Sequence, residues 1–434
     1  MQLNKRPKSI KTYEGAPAKR ITVQEQLRRS VMSCLLWERE FYEDGQAIAD
    51  RIADAAKRCE PDFVADLALE ARNVHNLRHV PLLLCLDLIK SGGAIAGDTI
   101  EQVIQRPDEI TELLAMYWRN GRKPVTKQMR RGIGEAFSKF DEYQLAKYNR
   151  DGAVKLRDAL FLSHAKPETP ERESLYKRLA NNELATPDTW EVGLSGGGDK
   201  REVFTRLLKE GKLGYLALLR NLRNMSDAGV DVGLVRDAII ARRGGAHRVL
   251  PFRYVAAARA APRFAPFLDQ ALLESLADVR AMEGETIVLV DVSYSMDMAL
   301  SARSDLTRRD AACTLASVIP GNVRVFSFST ECVEVPAYRG LAGIDAIAKS
   351  QTWSGTRLGQ AVSMMNRLPH DRLIVVTDEQ SQDRVPDPVA EKAYMINVAS
   401  YANGVGYGPW TNISGFSENV IRFIQEMEGE PFDG

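Results

Sequence analysis

The sequence predicts two architectures in one chain: an all-helical first part and a doubly wound α/β second part. Three observations carry this. From about residue 20 to 282, short amphipathic stretches follow one another with no strand of comparable length. From Glu283 onward, apolar strands alternate with helical stretches. The first of those strands runs directly into Asp291-Val292-Ser293-Tyr294-Ser295, a run with oxygen-bearing side chains at alternate positions. A chain of 434 residues exceeds one ordinary core. The expected division is therefore 1–282 and 283–434.

The helices can be justified in order. Leu27, Val31 and Leu35 repeat every fourth residue, and Ile48, Ile52, Ala55 and Cys59 continue the stripe. Pro61 suits a first helical turn, and Phe63, Val64, Leu67, Ala68 and Ala71 follow on one face. Pro81 to Lys90 gives another helix, closed by Ser91-Gly92-Gly93. Asp108–Tyr117 and Val125–Phe137 extend the series, with Arg119-Asn120-Gly121 as a stop between them. The unit is helix, short turn, helix, at spacings resembling helix-pair solenoids.

In the second part, strands are expected at 286–291, 322–328, 372–377 and 393–399. Helices are expected near 305–319, 341–349, 358–367 and 417–428. Near-continuous apolar strands argue for a parallel sheet covered on both faces. Such sheets bind ligands beyond the carboxyl ends of their strands. Asp291 ends the first strand, and Ser293 and Ser295 follow at period-two spacing, so three oxygens point the same way. Thr356, after Ser354-Gly355, and Asp378, after Leu373-Ile374-Val375-Val376-Thr377, can complete the set. Hard cations such as Mg²⁺ take about six oxygens and keep several waters. The competing reading is Asp and Ser capping a strand-to-helix turn.

Composition is that of a soluble globular protein, 44% hydrophobic and 27% charged. Of 58 basic and 58 acidic residues, 283–434 hold 12 and 20, a net −8, which leaves +8 on 1–282. Either the first part meets an anionic partner such as nucleic acid, or this is ordinary surface charge. The cysteines Cys34, Cys59, Cys85, Cys313 and Cys332 are scattered in apolar segments without a CxxC pair. That pattern reads as reduced thiols, and a cytoplasmic location is expected. No run approaches the roughly 18 apolar residues of a membrane span. The basic, polar start from Met1 to Arg20 does not read as a secretory signal.

Asp291, Ser293, Ser295, Thr356 and Asp378 resemble the metal-ion-dependent adhesion site of von Willebrand factor A domains. Sites of that family use hydroxyls where others use carboxylates, leaving the cation electrophilic toward an acidic partner. Tyr294 departs from the small residue common between the two serines. Upstream stand Ala71-Arg72-Asn73-Val74-His75-Asn76-Leu77-Arg78, Phe161-Leu162-Ser163-His164-Ala165-Lys166-Pro167, Thr189-Trp190-Glu191 and Leu218-Leu219-Arg220-Asn221-Leu222. In this order, ahead of the metal-site segment, they resemble the Ro autoantigen, or TROVE-domain, family over nearly the whole chain.

That resemblance implies a ring of HEAT-like helix pairs joined by a von Willebrand factor A domain. It implies binding of small noncoding Y RNA on the outer surface and of single-stranded ends of misfolded RNA in the central hole. Cooperation with an exoribonuclease and a monomeric chain are also implied. By position, His164, Lys166, Lys147 and Arg150 are the candidates for Y RNA contact; for His164 the alternative is a satisfied helix-end histidine. Arg130 and Arg131, between Lys127 and Lys139, form a second basic cluster, either toward the hole or on a solvated helix face. Arg220 and Arg223 share a helix face and read equally as ordinary surface.

Enzymatic motifs are weak. Gly196-Gly197-Gly198-Asp199-Lys200 lacks the ending of a phosphate-binding loop, being followed by Arg201. Ser293 stands where a phosphotransfer D-x-D motif needs its second acid. None of His75, His79, His164, His247 and His370 lies in a nucleophile context, so no catalysis is expected. The alternative function is a metal-dependent protein-adhesion scaffold. A metal-assisted phosphohydrolase is a third reading.

Overall fold

The computed structural model describes all residues except 1–10, 12–14, 18–21, 34–44, 75–76, 92, 150–151, 250, 278–279, 300–305, 353–354, 400–403, 406–407, 415–419, 422–423, 426–427 and 429–434. Cys34, Leu35, His75, Gly92, Arg150, Ser354 and most of the 417–428 stretch therefore lie outside the described residues. The chain forms two compact units, Ala49–Asp199 and a second made of Met1–Ile48 with Lys200–Gly434.

The 49–199 unit is helical among the described residues. Its helices start where the chemistry asks: Pro61, Pro107 and Pro170 occupy first-turn positions, where a missing N–H costs nothing. Thr126, Asp141 and Thr169 accept N-terminal backbone N–H groups. Helix Ile95–Val103 packs on helix Lys127–Ala136 closely enough that a Cβ on Gly132 would meet the Gly97 carbonyl oxygen at 2.5 Å. A buried ion pair joins two helices, Arg72 Nη2 donating to Glu109 Oε1 at 2.7 Å while Arg72 Nε donates to the Val103 carbonyl. Arg78 donates to Asp108 at 2.6 Å and to Glu112. The basic residues of the 71–78 motif are thus pins between helices.

In the other unit, helices Lys200–Lys209, Tyr215–Asp227, Val232–Ala241, Pro251–Ala260 and Ala265–Glu274 lead into a six-stranded sheet ordered β3-β2-β1-β4-β5-β6. The strands are β1 Met282–Asp291, β2 Gly321–Phe328, β3 Cys332–Val335, β4 Arg372–Thr377, β5 Lys392–Asn397 and β6 Thr411–Ser414. The four expected strands are present. The sheet is mixed, because β3 pairs antiparallel with β2. Only Ser329–Glu331 separate them, too few for the crossover that a parallel neighbour needs. β3 and β6 are four residues each, too short to announce themselves by periodicity.

Helix Arg308–Val318 is buried along its whole length and helix Leu358–Met365 along most of its own. Ile287, Leu289, Phe326, Leu358, Val375 and Met395 are among the core residues on one side of the sheet. Arg259 joins helix Pro251–Ala260 to this layer, its two terminal nitrogens each 2.5 Å from an Asp310 carboxylate oxygen. Helix Val23–Ser33 packs with β6, so the N-terminal helix belongs with the sheet rather than with the helices that follow it in sequence.

Candidate metal centre and basic surfaces

The central strands β1 and β4 are parallel neighbours, and Val290 lies opposite Val376. Their carboxyl ends therefore finish side by side. Asp291 and Asp378 stand at those ends, Ser293 and Ser295 follow Asp291, and all four are buried, as is Thr356 in the loop before helix Leu358–Met365. Asp291 Oδ1 accepts the Ser293 backbone N–H at 2.9 Å, and Oδ2 accepts the Thr377 hydroxyl at 2.6 Å. Ser293 and Ser295 hydroxyl oxygens lie 3.3 Å apart. Asp378 Oδ1 accepts the Gln380 N–H at 3.1 Å. Tyr294, between the serines, is 60% exposed and turns outward from the buried pair.

Two loops are tied together around this cluster. The Thr356 carbonyl accepts the Gln382 N–H at 2.8 Å, and Arg357 N–H donates to the Ser329 carbonyl. Asp383 accepts the Gly359 and Gln360 N–H groups, each at 2.8 Å, closing the start of helix Leu358–Met365. Any side chain on Gly359 would strike the Arg384 carbonyl. Next to Asp378, Glu379 holds a left-handed backbone with φ 59 and is fully buried. Its carboxylate accepts Asn397 Nδ2 at 2.9 Å and the Val405 N–H at 2.8 Å. A non-glycine residue held there costs about 1–3 kcal/mol, which those two bonds offset. Sequence reasoning missed Thr377, Glu379 and Asp383, because their partners come from other strands and loops.

Burial, and then the charge of Asp378, push the Asp291 carboxyl up toward neutrality. A divalent cation beside the two acids would reverse that penalty, and second lone pairs on both Asp291 oxygens remain for direct or water-mediated ligation. Two carboxylates with three hydroxyls suit a hard, oxygen-seeking ion. Among the described residues, no group of three or more His, Cys, Asp or Glu side chains gathers to hold a metal ion, and this cluster brings only two carboxylates. Cys85 and Cys313 are buried free thiols, Cys59 and Cys332 half-buried ones.

The candidate RNA-contact residues take three kinds of position. His164 ends helix Leu156–Ser163 in a left-handed conformation, φ 54, and is exposed together with Lys166. Phe161, 58% exposed, and Leu162 open onto solvent in the same turn. The Lys147 ammonium lies 5.8 Å from the ring centres of both Tyr143 and Tyr148. Arg130 is exposed on helix Lys127–Ala136. Four residues along, on the same face, Gly134 approaches the Ser163 carbonyl. Arg131 is committed elsewhere, to Asp98 at 2.8 Å and to the Ala94 carbonyl at 2.8 Å. Lys139 is likewise held by Glu101 at 2.7 Å.

Residues 176–260 match the family model of the TROVE domain. A curated relative, telomerase protein component 1 of Mus musculus, is 37% identical over 76 residues. That segment is 17% of this chain and 3% of the relative, so nearly all of that protein has no counterpart here. The crystal structure of the Deinococcus radiodurans Ro (Rsr) protein superposes with a TM-score of 0.63 at 17% identity, covering 94% of this chain and 100% of the other. That likeness is one of fold. The domain match thus lies in the helices that precede the sheet: residues 176–260 resemble the TROVE domain, and the chain shares its fold with a Ro protein.

Proposed function

We propose that this protein binds RNA, taking small noncoding Y-like RNA and single-stranded ends of misfolded RNA in RNA quality control. The observation that carries this reading is the solvent-facing end of helix Leu156–Ser163. There an imidazole and an ammonium, His164 and Lys166, stand beside an exposed aromatic, Phe161. Cations neutralise phosphates, and open rings stack on unpaired bases. The tyrosines flanking Lys147 repeat that pairing of ring and charge. In a gel-shift titration, His164→Ala with Lys147→Ala should weaken Y-like RNA binding about tenfold or more. Unchanged affinity would remove these residues from the interface. Sequencing the RNA that copurifies from the native host identifies the ligand. An exoribonuclease is the proposed downstream partner, a monomer in the cytoplasm the proposed state, and no catalytic step is assigned to the chain.

The Asp291 cluster is proposed to hold Mg²⁺, with Asp291, Ser293, Ser295 and Thr356 near the ion and Asp378 bound directly or through water. Bound there, the ion would supply an electrophilic point for a partner carboxylate. A second reading follows from the same residues: a von Willebrand-type adhesion scaffold that captures an acidic protein. The hydroxyl-rich donor set and the outward Tyr294 favour it. Salt separates the two readings. RNA retention should fall steeply with added salt, whereas adhesive capture should be abolished by chelator. Phosphodiester turnover with Mg²⁺, lost in Asp291→Ala, would instead support hydrolysis.

A further inference from the structure

Within the 49–199 unit, a gap opens where two helices fail to join. Helix Gly45–Ala56 cannot run on into helix Pro61–Asn73, because Glu60 precedes a proline and holds an extended backbone, φ −64 and ψ 140. The turn between them is closed by the Arg58 and Cys59 N–H groups, which donate to the Ala55 and Ala56 carbonyls at 3.1 Å. Between this turn and the end of helix His79–Ser91 lies a cavity of about 210 Å³, larger than the roughly 150 Å³ that admits benzene.

Its walls offer three kinds of surface. Val64 and Leu88 are buried and apolar. Lys57 and Lys90 bring exposed ammonium groups, and Cys59 a half-buried thiol. Asp87 supplies a carboxylate whose side chain is only 4% exposed. Its Oδ1 accepts the Lys90 ammonium at 2.7 Å. Its Oδ2 is buried and has no hydrogen-bond partner among the described residues. A buried carboxylate oxygen left without a donor is costly, and a ligand that brings one removes that cost. The Lys57 ammonium is favoured first by its hydrogen bond to Asp54 at 2.8 Å and also by the charge of Asp87. Both lysines therefore attend one acid. A complementary ligand carries a donor for Asp87, an anionic group for the lysines and a compact apolar body for Val64 and Leu88. A free α-amino acid with an aliphatic side chain has all three.

We propose that this cavity binds a small aliphatic α-amino acid of the leucine kind, with its ammonium on Asp87 and its carboxylate on Lys57 and Lys90. The site is separate from the surfaces assigned to RNA and to the metal ion. Its test is isothermal titration of the full chain with L-leucine and three truncated probes. Isoamylamine lacks the carboxylate, isocaproate the ammonium and glycine the apolar body. Each should bind about tenfold or more weakly than leucine. Asp87→Asn should weaken leucine binding about tenfold or more, as loss of a hydrogen bond to a charged group does. Lys57→Gln, at an exposed position, should weaken it about threefold. Circular dichroism checks that both variants keep the fold. Cys59 gives a readout free of any substitution. Leucine at about ten times its dissociation constant should slow iodoacetamide alkylation of Cys59 about tenfold, read by mass spectrometry, while Cys332 keeps its rate. If leucine gives neither binding heat nor protection of Cys59, the site is refuted while the RNA reading stands. If isocaproate or isoamylamine binds as tightly as leucine, the amino-acid assignment is refuted. Undiminished leucine binding by a folded Asp87→Asn variant would likewise overturn it.

Discussion

At the residue scale, Asp291 and Arg372 show opposite ways of keeping charge inside a protein. Asp291 is buried beside another acid, and its carboxyl is pushed up by burial and by Asp378. Mg²⁺, if bound as proposed, would therefore compete with a proton. Isothermal titration should show affinity falling as pH drops from alkaline through neutral, and Asp291→Ala should abolish the binding while leaving RNA affinity mostly intact. Loss of RNA binding by a folded variant would sink the separation of the two functions. Arg372 is also fully buried, but its Nε donates to Glu428 at 2.6 Å and its Nη1 to Thr286 at 2.7 Å. Burial acts to raise the Glu428 carboxyl, yet Arg372, Lys392 and Tyr394 together hold it at about 2. A depressed carboxylate contributes stability above its ordinary value of 4.5, and that contribution is lost as pH falls through about 2. Glu428→Gln should cost about 3–5 kcal/mol in denaturant melts at neutral pH, because Arg372 is left buried without its counter-charge. The gap from wild type should narrow in acid.

At the scale of elements, helix contacts in the 49–199 unit are set by small residues and pinned by ions. Gly132 lets helix Lys127–Ala136 approach helix Ile95–Val103, where a Cβ would meet both the Gly97 carbonyl and Ile100. Gly132→Ala should therefore destabilise by about 1–3 kcal/mol despite its better helix propensity, measurable as a lowered urea midpoint. A gain in stability would show that the contact relaxes freely. Helix positions were legible in the sequence because amphipathic period and first-turn prolines act locally. The ionic partners of Arg72 and Arg131 were not, because Glu109 and Asp98 reach them only after the helices pack.

At the scale of the whole molecule, the sites proposed for ion and RNA use different residues and should respond to different conditions. Mg²⁺ should raise the melting temperature of the wild-type chain and leave that of Asp291→Ala unchanged, as linkage requires of a ligand bound only by the folded state. A shift of equal size in both would place the ion elsewhere.

The change from helices to alternating strands and helices near 282 and four of the six strands were legible in the sequence, as was the placing of Asp291 and Asp378 at neighbouring strand ends. Those follow from period, turn chemistry and strand ends, which neighbouring residues set. Only the tertiary structure decided that the N-terminal helix packs with β6, that β3 turns back against β2, and that Arg131 is held by Asp98 while Arg220 and Arg253 have no acid partner among the described residues. Such outcomes depend on which distant side chains share a contact, and a charge written in the sequence does not say what it will face.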